Sequence, residues 1–195
     1  MPDVPRIHPE TRADWRAWLS EHHASATGVW LVSWRKQSGR VALGYDDAVL
    51  EALAFGWVDS KPAKLDDDRT QLYFSPRKPR SAWSAPNKDR VERLERAGLM
   101  AEAGARAVSA AKADGSWSLL DEVERLSVPA DLSSAFDRHP GSRQKWDAFP
   151  PSARRGILEW IVQAKRPETR QRRVDETARL AAENERANQW RPKEG

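Results

Sequence analysis

The sequence predicts an α+β fold, with a small antiparallel sheet of about three strands packed by helices and a helical C-terminal half. Three observations predict it. Val29-Trp30-Leu31-Val32-Ser33-Trp34 and Arg69-Thr70-Gln71-Leu72-Tyr73-Phe74-Ser75 are short runs rich in β-branched and aromatic residues, set between Gly28 and Ser38-Gly39 or before Pro76. Apolar residues recur at i, i+3, i+4, i+7 as Trp15, Trp18, Leu19 with His22, and as Ile157, Trp160, Ile161, Ala164. From Pro79 onward every apolar pattern is helical.

Residues 1–10 are proline-rich and polar and read as a flexible arm. An α+β core domain is expected over 11–128. Thr11-Arg12-Ala13-Asp14 forms a capping box for the first helix, which ends near His23. Both alternating sets of Val29–Trp34 are apolar, so that strand is expected to be central and covered on both faces. Asp46 and Asp47 suit the positive end of a helix through Leu53, and Gly56 suits its left-handed terminus. The second strand is Trp57–Lys61, Pro62–Asp68 is a polar connection, and Arg69–Ser75 closes a hairpin with the second strand. Ser84 or Asn87 can cap a helix carrying Val91 and Leu94. A further helix over Ala101–Ala113 stops at Asp114-Gly115, and helical periodicity continues from Trp117 to Leu126. A helical C-terminal region spans 129–185: Asp131–Phe136, a short helix with Trp146 and Phe149, one capped by Ser152 after Pro150-Pro151, and a charged one from Pro167 to about Glu185. Residues 186–195 are a tail.

Ten tryptophans in 195 residues, each able to bury about 150–250 Å², are expected to be mostly core anchors. With no cysteine, disulfides and thiol catalysis are excluded. His8, His22, His23 and His139 show no metal-ligand spacing, so no metal is expected. No phosphate loop, dinucleotide fingerprint or nucleophile elbow occurs, and no cofactor is expected. Met1–Arg6 lacks a signal-peptide apolar run and nothing approaches the roughly 20 apolar residues of a membrane span, so a cytoplasmic protein without membrane insertion is expected. The net charge of +4 permits polyanion contact without demanding it.

Chemistry concentrates between residues 55 and 87, where charges stand beside aromatics. A charge among buried rings needs a partner. Asp59 is the only carboxylate on the predicted strands, and Lys61, Arg69, Arg77, Lys78 and Arg80 surround it in sequence. Trp57 and Trp83 offer flat apolar walls, and Ser84 and Asn87 neutral hydrogen bonds or caps. Such a cluster suits a carboxylate, a phosphate or a partner surface, with arginine giving bidentate geometry. The competing reading is an internal salt-bridge network at a sheet edge. Neighbouring cations lower a carboxyl pKa, so Asp59 reads as an ion-pair partner of Arg69 or Arg77 rather than a general base. Asp66-Asp67-Asp68 lacks the oxygen spacing of a calcium loop and reads as a solvated turn. Lys165–Arg173 is basic, but Glu168, Asp175 and Glu176 offset it and no stacking aromatic accompanies it, so nucleic-acid binding there is disfavoured.

Four ordered motifs carry a family resemblance: Phe55-Gly56-Trp57-Val58-Asp59, Ser75-Pro76-Arg77, Ser81-x-Trp83-Ser84-x-x-Asn87 and Ala164-Lys165-x-x-x-Thr169-Arg170-x-x-Arg173. They resemble the YdeI/OmpD-associated (OmdA) family of bacteriocin-protection proteins, from Trp15 to about Leu180. The resemblance implies a link to bacteriocin and cationic-peptide resistance and to a porin, without an established catalytic activity. Two features depart from it. No export signal is expected from Met1–Arg6, and Ala54 stands where the family usually carries cysteine, so no thiol role carries over.

The expected function is therefore a non-enzymatic stress or peptide-resistance protein that binds a small anionic ligand or protein partner through a basic, tryptophan-lined site. The alternatives are an enzyme using Asp59 and Lys61, and a nucleic-acid-binding protein. Nothing in the sequence specifies an oligomeric state.

Overall fold

The computed structural model describes residues 4–189. Positions 1–3 of the expected arm and 190–195 of the expected tail lie outside the described residues. The chain forms two compact units, Met1–Trp117 and Ser118–Gly195. The division falls after Trp117 rather than after residue 128. Past Trp117 the apolar periodicity builds only a four-residue helix, Asp121–Glu124, and Glu124 accepts from Arg155 at 2.9 Å inside the second unit.

In the first unit, strands β1 (Arg6–Ile7), β2 (Val29–Trp34), β3 (Trp57–Lys64) and β4 (Arg69–Pro76) make one sheet in the order β1-β2-β4-β3. Helices α1 (Arg12–His22), α2 (Tyr45–Ala54), α3 (Ala85–Arg96) and α4 (Glu102–Asp114) belong to the same unit. The α+β class is as predicted, with β2 internal and β3–β4 an antiparallel hairpin. The fourth strand is β1, parallel to β2, in the stretch expected to be a loose arm. Its two ladder residues lie between Pro5 and Pro9, and an edge strand tolerates proline outside the ladder. Trp30 donates its backbone N–H to Pro5 at 2.9 Å.

Strand β3 also runs past its expected end at Lys61. A bulge between Asp59 and Pro62 lets the edge strand absorb the proline and continue to Lys64. Asp66 closes the following turn, accepting the Arg69 N–H at 2.7 Å, so the aspartate run is the solvated turn expected.

Register puts Val29 opposite Phe74 and Leu31 opposite Leu72. That face carries the hydrophobic core, with Trp15, Leu19, Val49, Leu53, Val91, Leu94 and Val108 from the four helices. The Thr11–Asp14 capping box forms in both directions, and Trp15 Nε1 donates to the Ala48 carbonyl of α2 at 3.0 Å. Gly56, at φ 75°, turns the chain from α2 into β3. One carboxylate lies inside this core. Glu51 of α2 is 1 % exposed and accepts from Arg12 Nε and, at 2.6 Å, from Arg16 Nη1.

The second unit is helical. It holds α5 (Asp121–Glu124), α6 (Ala130–Asp137), α7 (Ser142–Ala148), α8 (Pro151–Val162) and α9 (Pro167–Ala182), around Leu132, Phe136, Trp146, Ile157, Ile161 and Val174. Ser152 does not cap α8. Pro151 occupies the first turn, where its missing N–H costs nothing, so the helix begins before the serine.

Candidate functional site

The loop that leaves β4 holds the group of greatest interest. Arg77 continues the hairpin, donating its backbone N–H to Gly56 at 2.9 Å. Its side chain folds back over the loop, with the guanidinium carbon 3.8 Å from the centre of the Trp83 ring and Nη2 donating to the Ala82 carbonyl at 2.6 Å. Trp83 is 2 % exposed and packs on its other neighbour, Trp117, at 5.1 Å between ring centres. The two remaining guanidinium nitrogens, Nε and Nη1, are buried and donate to no acceptor among the described residues. Burial pulls the Arg77 pKa down to about 10, and the negative charge of Asp59 opposes that fall without forming an ion pair. At neutral pH the guanidinium remains a full positive charge, held out of water and unpaired.

A cavity of about 150 Å³ adjoins it, lined by Arg77, Lys78, Arg80 and Trp83 from the loop and by Ala107, Ala111 and Asp114 of α4. Asp114 is held below the usual carboxyl range chiefly by Ser116, whose N–H donates at 2.9 Å, and by Arg80. Three cations and one carboxylate leave the wall positive. Arg80 adopts φ 59°, a left-handed conformation uncommon outside glycine and asparagine.

The other predicted residues divide differently. Asp59 is half-buried and accepts from the Tyr45 hydroxyl at 3.0 Å, not from Arg69 or Arg77 as expected. Burial and the Asp59 charge raise the Tyr45 pKa. Arg90 lies over the Tyr45 ring and donates to Asp46 at 2.8 Å and to Asn87 at 2.9 Å. Arg90 also holds Asp46 below its ordinary value. Asp59 and Asn87 thus belong to a polar strap joining α2, α3 and β3, which is the internal network left open by the sequence. Arg69 pairs with Asp66 at 2.6 Å. It stands eight residues from Arg77 on an extended strand, roughly 27 Å away, too far to share a site. Lys61 is exposed beside the β3 bulge, and neither it nor Asp59 lines the cavity. Trp57 is a core residue, donating to the His23 carbonyl at 3.2 Å and meeting Trp18 edge-on. Ser84 has the backbone of an N-cap, but its hydroxyl makes no capping bond.

Late in the chain, Arg170 binds Asp131 through two nitrogens at 2.7 and 3.1 Å, and Arg173 donates to the Trp160 carbonyl. These charges tie α6, α8 and α9 together. Sequence reasoning missed Tyr45, Arg90, Trp117 and Asp114 as neighbours of the cluster. Tyr45 carried one usable signal, an aromatic at the first turn of a helix beside two aspartates.

Among the described residues no group of three or more histidine or acidic side chains could hold a metal ion, and no helix is long and apolar enough to cross a membrane. The fold and cluster define an α+β unit with a basic, tryptophan-backed loop, alongside a helical unit. Residues 7–107 match the model of a domain of unknown function (DUF8412), and the chain belongs to that family. Residues 125–184 form a domain matching the model described as Bacteriocin-protection, YdeI or OmpD-Associated. The Lys165–Arg173 motif lies in this second match, and the three earlier motifs lie in the first. No curated protein and no solved structure matches the chain.

Proposed function

We propose that this OmdA-domain protein works by binding rather than catalysis, taking a small oxyanion such as phosphate or a short carboxylate at Arg77 and Trp83. The observation that carries the reading is the unpaired, desolvated guanidinium. Each buried donor without a partner costs on the order of 1–3 kcal/mol, and an oxyanion can accept from one of them. A cavity near 150 Å³ suits a ligand of about six heavy atoms, which favours a small anion over a nucleotide. The family description suggests bacteriocin protection as the setting, and our reading extends it to cationic peptides and to action in the cytoplasm.

The test is a thermal-shift titration of the full chain with inorganic phosphate and with succinate, at constant ionic strength. Arg77→Met serves as control because its apolar stem still covers Trp83. Wild type is expected to gain about 1.4 kcal/mol of stability at ten times the dissociation constant, and the variant to gain nothing. Equal responses of the two proteins, or none in either, would sink the anion site. Unchanged survival of a deletion strain under cationic peptide challenge would separately refute the resistance setting.

A further inference from the structure

The cavity at Arg77 has two unlike sides. The loop contributes Arg77, Lys78, Arg80 and Ser81, and α4 contributes Ala107, Ala110 and Ala111. These alanines fall at i, i+3 and i+4 and so share one face of the helix, and Asp114 continues the stripe at i+7. Three methyl groups in a row offer neither donor nor acceptor, and with the Trp83 ring they make most of the wall carbon. Charge is uneven too. Asp114 is the last residue of α4, so its carboxylate and the negative end of the helix dipole both border the cavity. Asp114 also lies beside Arg80 and offsets part of its charge. Lys78 and Arg80 are exposed at the rim, whereas Nε and Nη1 of Arg77 are buried.

We propose that the Arg77 site takes a short aliphatic monocarboxylate such as propionate or butyrate, its carboxylate on the guanidinium and its alkyl chain along the alanine stripe of α4. The inference rests on the anion-binding reading of Arg77 and narrows it to one ligand class. Propionate and butyrate have roughly five or six heavy atoms, a size that a cavity of about 150 Å³ holds. Phosphate fits the volume but not the wall. Its oxygens point to all sides, and those turned to methyl groups would lose water without gaining a donor. A dicarboxylate would carry its second charge to the methyl stripe and the negative end of α4. A monocarboxylate keeps its oxygens at the loop and buries only methylene groups, each worth about fourfold in affinity. Alanines that served only to let the loop pack closely would leave no space beneath it, yet the cavity lies between loop and stripe.

The experiment is a thermal-shift titration of the full chain at neutral pH and constant ionic strength with formate, acetate, propionate, butyrate, hexanoate, succinate and phosphate, Arg77→Met serving as the anion control. Affinity is expected to rise about fourfold per carbon from acetate to butyrate and to fall at hexanoate, with succinate and phosphate roughly tenfold weaker than butyrate. Ala110→Leu, a change at an exposed helical position that keeps a good helix former, narrows the mouth of the cavity. It should weaken butyrate roughly tenfold and leave formate within about twofold. A flat series from formate to butyrate, or succinate or phosphate binding as tightly as butyrate, overturns the proposal, while an Arg77-dependent response to any of these anions leaves the anion site standing. Wild-type butyrate affinity in Ala110→Leu overturns it as well. Absence of any Arg77-dependent response removes the anion site and this inference together.

Discussion

Replacing Arg77 with methionine is expected to change stability by no more than about 1 kcal/mol, although the residue is largely buried. Burial lowers the guanidinium from its ordinary value to about 10, which at about 1.4 kcal/mol per tenfold is on the order of 3 kcal/mol against the charged form. Two contacts offset this. The bond to the Ala82 carbonyl contributes about 1.5–3 kcal/mol and the stack on Trp83 about 0.5–2. The opposing contributions are similar, and methionine keeps the apolar stem on the indole. An ordinary buried, paired arginine would cost about 3–5 kcal/mol on removal. The assay is urea unfolding followed by tryptophan fluorescence, which reports chiefly on the first unit, since seven of the nine described indoles precede Ser118. A loss above about 2 kcal/mol would show that Arg77 is an integral structural tie and would remove the reasoning that frees it for a ligand.

Other perturbations test the frame around the site. Glu51→Gln should cost about 2–4 kcal/mol in the same assay, because one charged acceptor is lost and an amide N–H is turned toward a guanidinium. Arg12→Met should cost less than that, since Arg12 is more than a third exposed and Arg16 remains; the reverse order would refute the burial argument. Gly104→Ala should destabilise by about 2 kcal/mol despite the higher helix propensity of alanine, because the added Cβ would stand 2.3 Å from the Ala54 carbonyl oxygen. A neutral or stabilising result would contradict that close approach. Partial burial raises Asp131, but the Arg170 guanidinium outweighs it and holds the group below its ordinary value. Its stabilising contribution is therefore full above about pH 3.9 and is lost as pH falls through the folded value. Asp131→Asn should flatten the acid limb of the unfolding profile between pH 5 and 2, a range estimated from the same linkage; an unchanged limb would count against it.

Local rules were the most legible part of the sequence. The Thr11–Asp14 box, the Gly56 terminus and the β3–β4 hairpin depend on neighbours a few residues apart, and each formed as expected. Strand β1 was hidden because two ladder residues between prolines carry no periodicity. Pro62 masked the end of β3, since a bulge on an edge strand is set by the partner strand. Glu51 was hidden because its arginine partners stand a whole helix and strand away in sequence, although its place amid Ala48, Val49, Leu50 and Ala52 was a readable anomaly. Within the candidate site, sequence proximity overstated the cluster. Extended backbone separates Arg69 from Arg77 by the full length of β4, and nothing local could announce that Tyr45 would reach Asp59.

The contrast between Asp59 and Arg77 is what singles out the loop after β4. Around Asp59 the polar groups satisfy one another, through Tyr45, Arg90, Asp46 and Asn87, and such a strap is explained by the stability of the fold. Around Arg77 two costs lie within four residues, a desolvated guanidinium with unmet donors and a left-handed Arg80 worth roughly 1–2 kcal/mol of strain. The loop bearing them is closed on itself by Arg77 to Ala82 and by Ser81 to Lys78 at 3.1 Å, and Trp83 is held between Arg77 and Trp117. Rigidity of that kind keeps donors aimed before a ligand arrives and so reduces the entropy lost on binding. Unsatisfied groups on a rigid loop beside a cavity are better explained by a missing acceptor than by packing.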